Sequence, residues 1–92
     1  MELSNYLRID AAGYPVEMTP GQSRAARALL TMTQADLAAR ARISTTALRN
    51  FESGSVVPQR NNMSALETAL EAAGVMFIEA DASGGPGVRL RT

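Results

Sequence analysis

The sequence predicts a mainly α domain of four to five short helices, closed by a C-terminal β-hairpin. Three features carry that expectation. Helix-start signatures recur at Thr19-Pro20-Gly21-Gln22, at Thr33-Gln34-Ala35-Asp36 and at Ser44, each placing a side-chain acceptor just before a run with helical character. Between Asn61 and Ala73 the apolar residues Met63, Leu66, Ala69, Leu70 and Ala73 fall at helical spacing, and Gly74 ends the run. Past Gly74 the period changes: Val75-Met76-Phe77-Ile78 is β-prone, and Val88-Arg89-Leu90-Arg91 alternates apolar with charged.

Taken in order, residues 1–19 form an N-terminal extension that reads either as two short strands, Tyr6-Leu7-Arg8-Ile9 and Tyr14 to Met18 around an Ala12-Gly13 turn, or as disorder. A first helix spans about Pro20 to Leu30, with Thr19 as cap, Pro20 at the first helical position and Gln22 completing a capping box. A second spans about Gln34 to Ala41, capped by Thr33 with Asp36 reaching back. Ser44 caps a third, which ends near Ser53 with Gly54 in the left-handed position beyond it. Val56-Val57-Pro58 is an extended connector, because a residue before proline avoids helical angles. The fourth helix runs from Asn61 to Ala73, and residues 75–91 form the hairpin around Ala82-Ser83-Gly84-Gly85-Pro86-Gly87. The chain thus divides into an extension (1–19), a helical unit (20–73) and a hairpin (74–92).

Composition narrows the function. Ninety-two residues suit one small domain. With no cysteine and no histidine, disulfides, thiolate metal sites and the commonest general base are all missing, so neither an enzyme nor a cofactor or metal is expected. No apolar run approaches a membrane span. The start MELSNYLRID lacks a secretory h-region, so a cytoplasmic protein is expected. Net charge is zero, but all nine cations are arginine and they are unevenly placed. Between Pro20 and Asn62, Arg24, Arg27, Arg40, Arg42, Arg49 and Arg60 face only Asp36 and Glu52, a local balance of +4. Residues 1–19 and 63–92 are each acidic by two charges. A basic centre of arginines suits phosphate and guanine edges.

The run Thr33 to Gly54 is the most informative stretch. Ala35, Leu37, Ala38, Ile43, Leu48 and Phe51 stand where two crossed helices would touch, and Thr45, Thr46, Arg49 and Asn50 stand where the second would face outward. That is the pattern of a helix-turn-helix, which lays its second helix in the DNA major groove. Asn50 can bond adenine N6 and N7, Arg49 can take guanine O6 and N7, and the threonine methyls can pack on thymine.

These residues resemble the phage-repressor/Cro-like (XRE-type) helix-turn-helix family. The resemblance rests on Arg27, then Thr33-Gln34-Ala35-Asp36-Leu37-Ala38, then Ile43-Ser44, Glu52-Ser53-Gly54 and Pro58, and it covers residues 21–73. It implies a lambda-repressor-like fold and binding to double-stranded DNA. It also implies that Gln34 touches a phosphate and braces the reading helix. Ser44, Thr45, Thr46, Arg49 and Asn50 would then face the groove, Arg60 would meet the backbone from the connector, and Arg27 and Glu52 would form a buried salt bridge. In the turn the family often has glycine where this chain has Arg42. A left-handed arginine costs about 1–2 kcal/mol, so either the turn differs or the charge is kept for contact.

Two functions from different classes follow. One is a homodimeric transcription repressor on an inverted-repeat operator, with the hairpin building the dimer. The other is an antitoxin-like or anti-activator module whose partner is a protein, in keeping with neutral charge and acidic ends. Glu67 and Glu71 share a helix face but have no sign of a perturbing pocket, and Gly84-Gly85-Pro86-Gly87 lacks the lysine of a phosphate loop.

Overall fold

The computed structural model describes residues 17–92. Within them lie α1 (Pro20–Leu30), α2 (Gln34–Ala41), α3 (Thr45–Glu52) and α4 (Arg60–Ala73), followed by β1 (Val75–Ile78) and β2 (Gly87–Leu90). The described residues hold four helices rather than five. The expected strand at Tyr6–Ile9 lies outside them. Of the second, Tyr14 to Met18, only Glu17 and Met18 are described, and neither is in a strand. Instead Met18 is buried, and its N–H donates to Glu67 Oε2 at 2.8 Å.

Local chemistry sets the helix starts. Thr19 Oγ1 accepts the Gln22 N–H at 3.1 Å while Gln22 Oε1 accepts the Thr19 N–H at 2.8 Å, a reciprocal box that satisfies two orphan donors. Thr33 and Asp36 repeat it at 3.0 and 3.1 Å, and hydrogen bonds from Thr33, its backbone N–H first, hold the Asp36 carboxyl below its ordinary value. Ser44 Oγ accepts the Ala47 N–H at 3.0 Å. Two of the helices end on a left-handed residue that is not glycine. Thr31 closes α1 at φ 53°, and Arg42 closes α2 at φ 60°, ψ 42°. Arginine thus takes the left-handed position in this turn.

Helix α4 begins one residue earlier than its apolar spacing suggests. Gln59 is the extended residue before it (φ −61°, ψ 155°), and its carbonyl accepts the Met63 N–H at 3.0 Å. Arg60 is therefore the first residue of α4, not part of the connector.

The core is formed where α2, α3, α4 and the hairpin converge: Leu37, Leu48, Leu66, Leu70 and Val75 are fully buried, with Ala26, Ala38, Phe51 and Met63 beside them. The small residues Ala26 of α1 and Ala38 and Ala41 of α2 are part of that core. Ala35, expected at the helix crossing, instead lies exposed on the outer face of α2, where a single methyl costs little.

The antiparallel hairpin pairs Val75 with Leu90, Met76 with Arg89, Phe77 with Val88 and Ile78 with Gly87. Alternation places Val75, Phe77, Val88 and Leu90 on one face and Met76, Ile78 and Arg89 on the other. Val75, Phe77 and Val88 of the first face lie against α1 and α4, whereas Leu90 at its end is exposed. Two polar ties secure it. The buried Gln22 amide donates to the Gly87 carbonyl at 2.8 Å and to that of Ile78 at 3.3 Å. Arg91 returns to the end of α4, its N–H on the Gly74 carbonyl at 2.8 Å and its guanidinium on the Glu71 carbonyl at 2.7 Å. Helix α4 has no basic residue in its last turn; Arg91 brings a cation to that negative end.

Candidate nucleic-acid interface

Helix α3 is fixed from behind before it presents anything outward. Leu48 and Phe51 anchor it in the core, and Glu52 is only 2% exposed. An ionised carboxylate that deep requires full compensation. It has it: Arg27 Nη2 donates to Oε1 at 2.7 Å and Arg27 Nε to Oε2 at 2.9 Å, a bidentate fork. Ser23 Oγ donates to Oε2 at 2.6 Å, and Gln34 Nε2 to Oε1 at 3.0 Å. Arg24 also donates to the Glu52 carbonyl oxygen. Burial pushes the Glu52 carboxyl upward, but the bonds from Arg27, Ser23 and Gln34 outweigh it and leave it below its ordinary value. The Glu52 hydrogen bonds raise the Arg27 guanidinium above its ordinary value, against partial burial. This one carboxylate ties α1, α2 and α3 together.

The opposite face of α3 is polar. Thr46 and Arg49 are exposed, with Thr45 and Asn50 half-buried beside them. Ser44 is exposed; its oxygen is taken by the cap, but its hydroxyl proton remains available to an acceptor. Arg24, Arg40, Arg42, Arg49 and Arg60 are all exposed, whereas Glu52 is buried. Asp36 is then the sole exposed acid between Pro20 and Asn62, so the local +4 lies on the surface.

Of the residues singled out from sequence, Ser44, Thr45, Thr46, Arg49 and Asn50 fall on one short helix and its cap. Arg42 precedes that cap by two residues. Gln34 is half-buried with its amide on Glu52, so it braces α3 through that carboxylate. Arg60 stands at the start of α4 rather than in the connector. Ser23 and Arg24 were not anticipated. The signal was there for Ser23, which stands four residues before Arg27 and so shares its helix face. Val56 and Val57, read only as connector, are exposed to 53% and 81% beside α3.

Among the described residues, no group of three or more His, Cys, Asp or Glu side chains stands ready to hold a metal, and no helix is long and apolar enough to cross a membrane. A family model described as helix-turn-helix matches residues 24–72, from the middle of α1 almost to the end of α4. No curated protein matches the chain.

Proposed function

The chain belongs to the XRE/lambda-repressor-like helix-turn-helix family of DNA-binding regulators, and from that premise we propose that it is a homodimeric repressor of the cytoplasm, without enzymatic activity, acting on an inverted-repeat operator. The observation that carries the proposal is the polar outer face of α3, propped from behind by the Glu52 network, within a segment whose exposed charges are five arginines against Asp36.

The mechanism follows from that geometry. Helix α3 enters the major groove, where Arg49 reads guanine and Asn50 reads adenine, and Thr45 and Thr46 meet methyl groups or base edges. Each good bidentate pair contributes about 1–3 kcal/mol of discrimination. Ser44, Arg42, Arg60 and the α2 N-terminus beside Gln34 meet phosphates, which set orientation rather than sequence. One short helix covers few base pairs, so affinity requires two copies on half-sites one turn apart. The hairpin's outer face, with Met76 and Ile78 both about 40% exposed, supplies the contact between copies. Repression needs nothing beyond occupancy of the operator.

Equilibrium binding to a duplex selected from a randomised library tests the reading. Arg49→Ala and Asn50→Ala relax base preference and leave the fold intact. Arg60→Ala weakens binding to all duplexes alike and lowers the salt slope by about one. If neither wild type nor variants show salt-sensitive binding to any duplex, the partner is a protein instead.

A further inference from the structure

Among the described residues the most exposed large apolar side chain is Val57, and Val56 beside it is half open to solvent. They stand between Ser55 and Gln59 in sequence and contribute nothing to the core. With Pro58 they form one wall of an open cleft of about 410 Å³, whose other walls are Ala47 and Asn50 of α3 and Asn62 of α4. The connector is held in register with α3, because the Asn50 carbonyl accepts the N–H groups of both Ser55 (3.0 Å) and Val56 (3.3 Å).

We propose that this cleft receives the C5-methyl group of a thymine in each half-site, which makes Val56 and Val57 specificity-determining residues. The inference rests on α3 lying in the major groove as proposed above. Three observations favour this occupant. The cleft is continuous with the reading surface, since Asn50 belongs to both. Two of its lining residues adjoin exposed cations in the chain, Asn50 following Arg49 and Gln59 preceding Arg60, and a positively charged neighbourhood attracts a polyanion that carries small apolar groups. Among the four standard base pairs, only those containing thymine present a methyl group in the major groove, and aliphatic contact is how it is read. Valine suits this because its branched side chain is stiff and loses little freedom on contact.

The test uses the duplex selected by wild type from a randomised library, with each thymine in turn replaced by deoxyuridine, which removes only the methyl group. Affinities are measured for wild type, Val57→Ser and Val56→Ser/Val57→Ser. Both side chains are solvent-exposed, so these variants fold. At one position per half-site, uridine weakens wild type about fourfold, the transfer value of one buried methyl group. At that position the double variant binds the thymine and uridine duplexes equally, and Val57→Ser lies between. Either of two uridine results overturns the proposal: no position costs wild type anything, or every position that costs wild type costs the double variant as much, which would assign all the methyl contacts to Thr45 and Thr46. A changed sedimentation coefficient for Val57→Ser with unchanged base preference would also overturn it, giving the cleft to a protein contact. Failure of wild type to select any duplex would instead sink the parent reading.

Discussion

Glu52 combines two opposing demands. Its burial disfavours charge, yet the fork from Arg27 is useful only if the charge stays. Breaking such a pair from one side costs about 3–5 kcal/mol, because the remaining ion is left uncompensated. Arg27→Ala should therefore destabilise the domain by about that amount, measured by urea unfolding. The pH dependence has a definite sign. The carboxyl lies below its ordinary value near 4.5 in the folded state, so its contribution is complete above that value and disappears as pH falls through the lower folded one. Stability should decline on acidification below about pH 4.5, and the Glu52→Gln variant, already weaker at neutral pH, should lose less over the same window. Arg42 poses a different trade. At φ 60° it occupies a position where glycine is free of strain. Arg42→Gly should raise stability by about 1 kcal/mol while weakening DNA affinity, measured by thermal unfolding and anisotropy on the same sample. A gain in both would remove Arg42 from the interface.

The elements differ in how much their own sequence reveals. Helix α2 has the bounds expected from Thr33 and Asp36, because a capping box is chemistry between residues three apart. The start of α4 was less legible: Gln59 makes no side-chain cap, so no residue type marks the boundary. The docking of the hairpin was not legible at all. Gln22 looks like an ordinary capping-box residue, and half of its work is that. The other half, its amide on the carbonyls of Ile78 and Gly87, joins residues 56 and 65 positions apart, and no local pattern encodes it. The same holds for Arg91 at the end of α4. For the reading surface, the alternation of buried Leu48 and Phe51 with Thr46 and Arg49 follows from the helical period, whereas the Val56–Val57 cleft needed the fold. Gln22→Ala leaves two hairpin carbonyls and one cap donor without their partner. It should cost about 1–3 kcal/mol, with faster amide exchange in β1 and β2 than in α2. Uniform exchange across the domain would show that the hairpin is not held through Gln22.

For the whole molecule, zero net charge hides a separation. Burial of Glu52 and its pairing with Arg27 leave the centre with exposed arginines, and residues 63–92 hold four acids against two arginines. A polyanion is drawn to the arginines of that central segment rather than to the acidic segment after it, and its binding weakens as salt rises. The dimer proposed above uses a different side. Ile78→Lys places a charge on the hairpin's outer face without touching the core residues Val75 and Phe77. It should convert dimer to monomer in sedimentation and reduce affinity for a two-half-site duplex, while leaving binding to a single half-site unchanged. An unchanged dimer would move the interface elsewhere.

Everything functional depends on α3 meeting base edges in the major groove. Methylation protection of guanine N7 on the selected duplex reports that contact most directly, because N7 lies only in that groove. Wild type should protect one guanine per half-site, and Arg49→Ala should lose that protection while the outer boundaries of its footprint stay in place. If Arg49→Ala protects the same guanines as wild type, or if wild type leaves every guanine N7 reactive, α3 does not read DNA in this way.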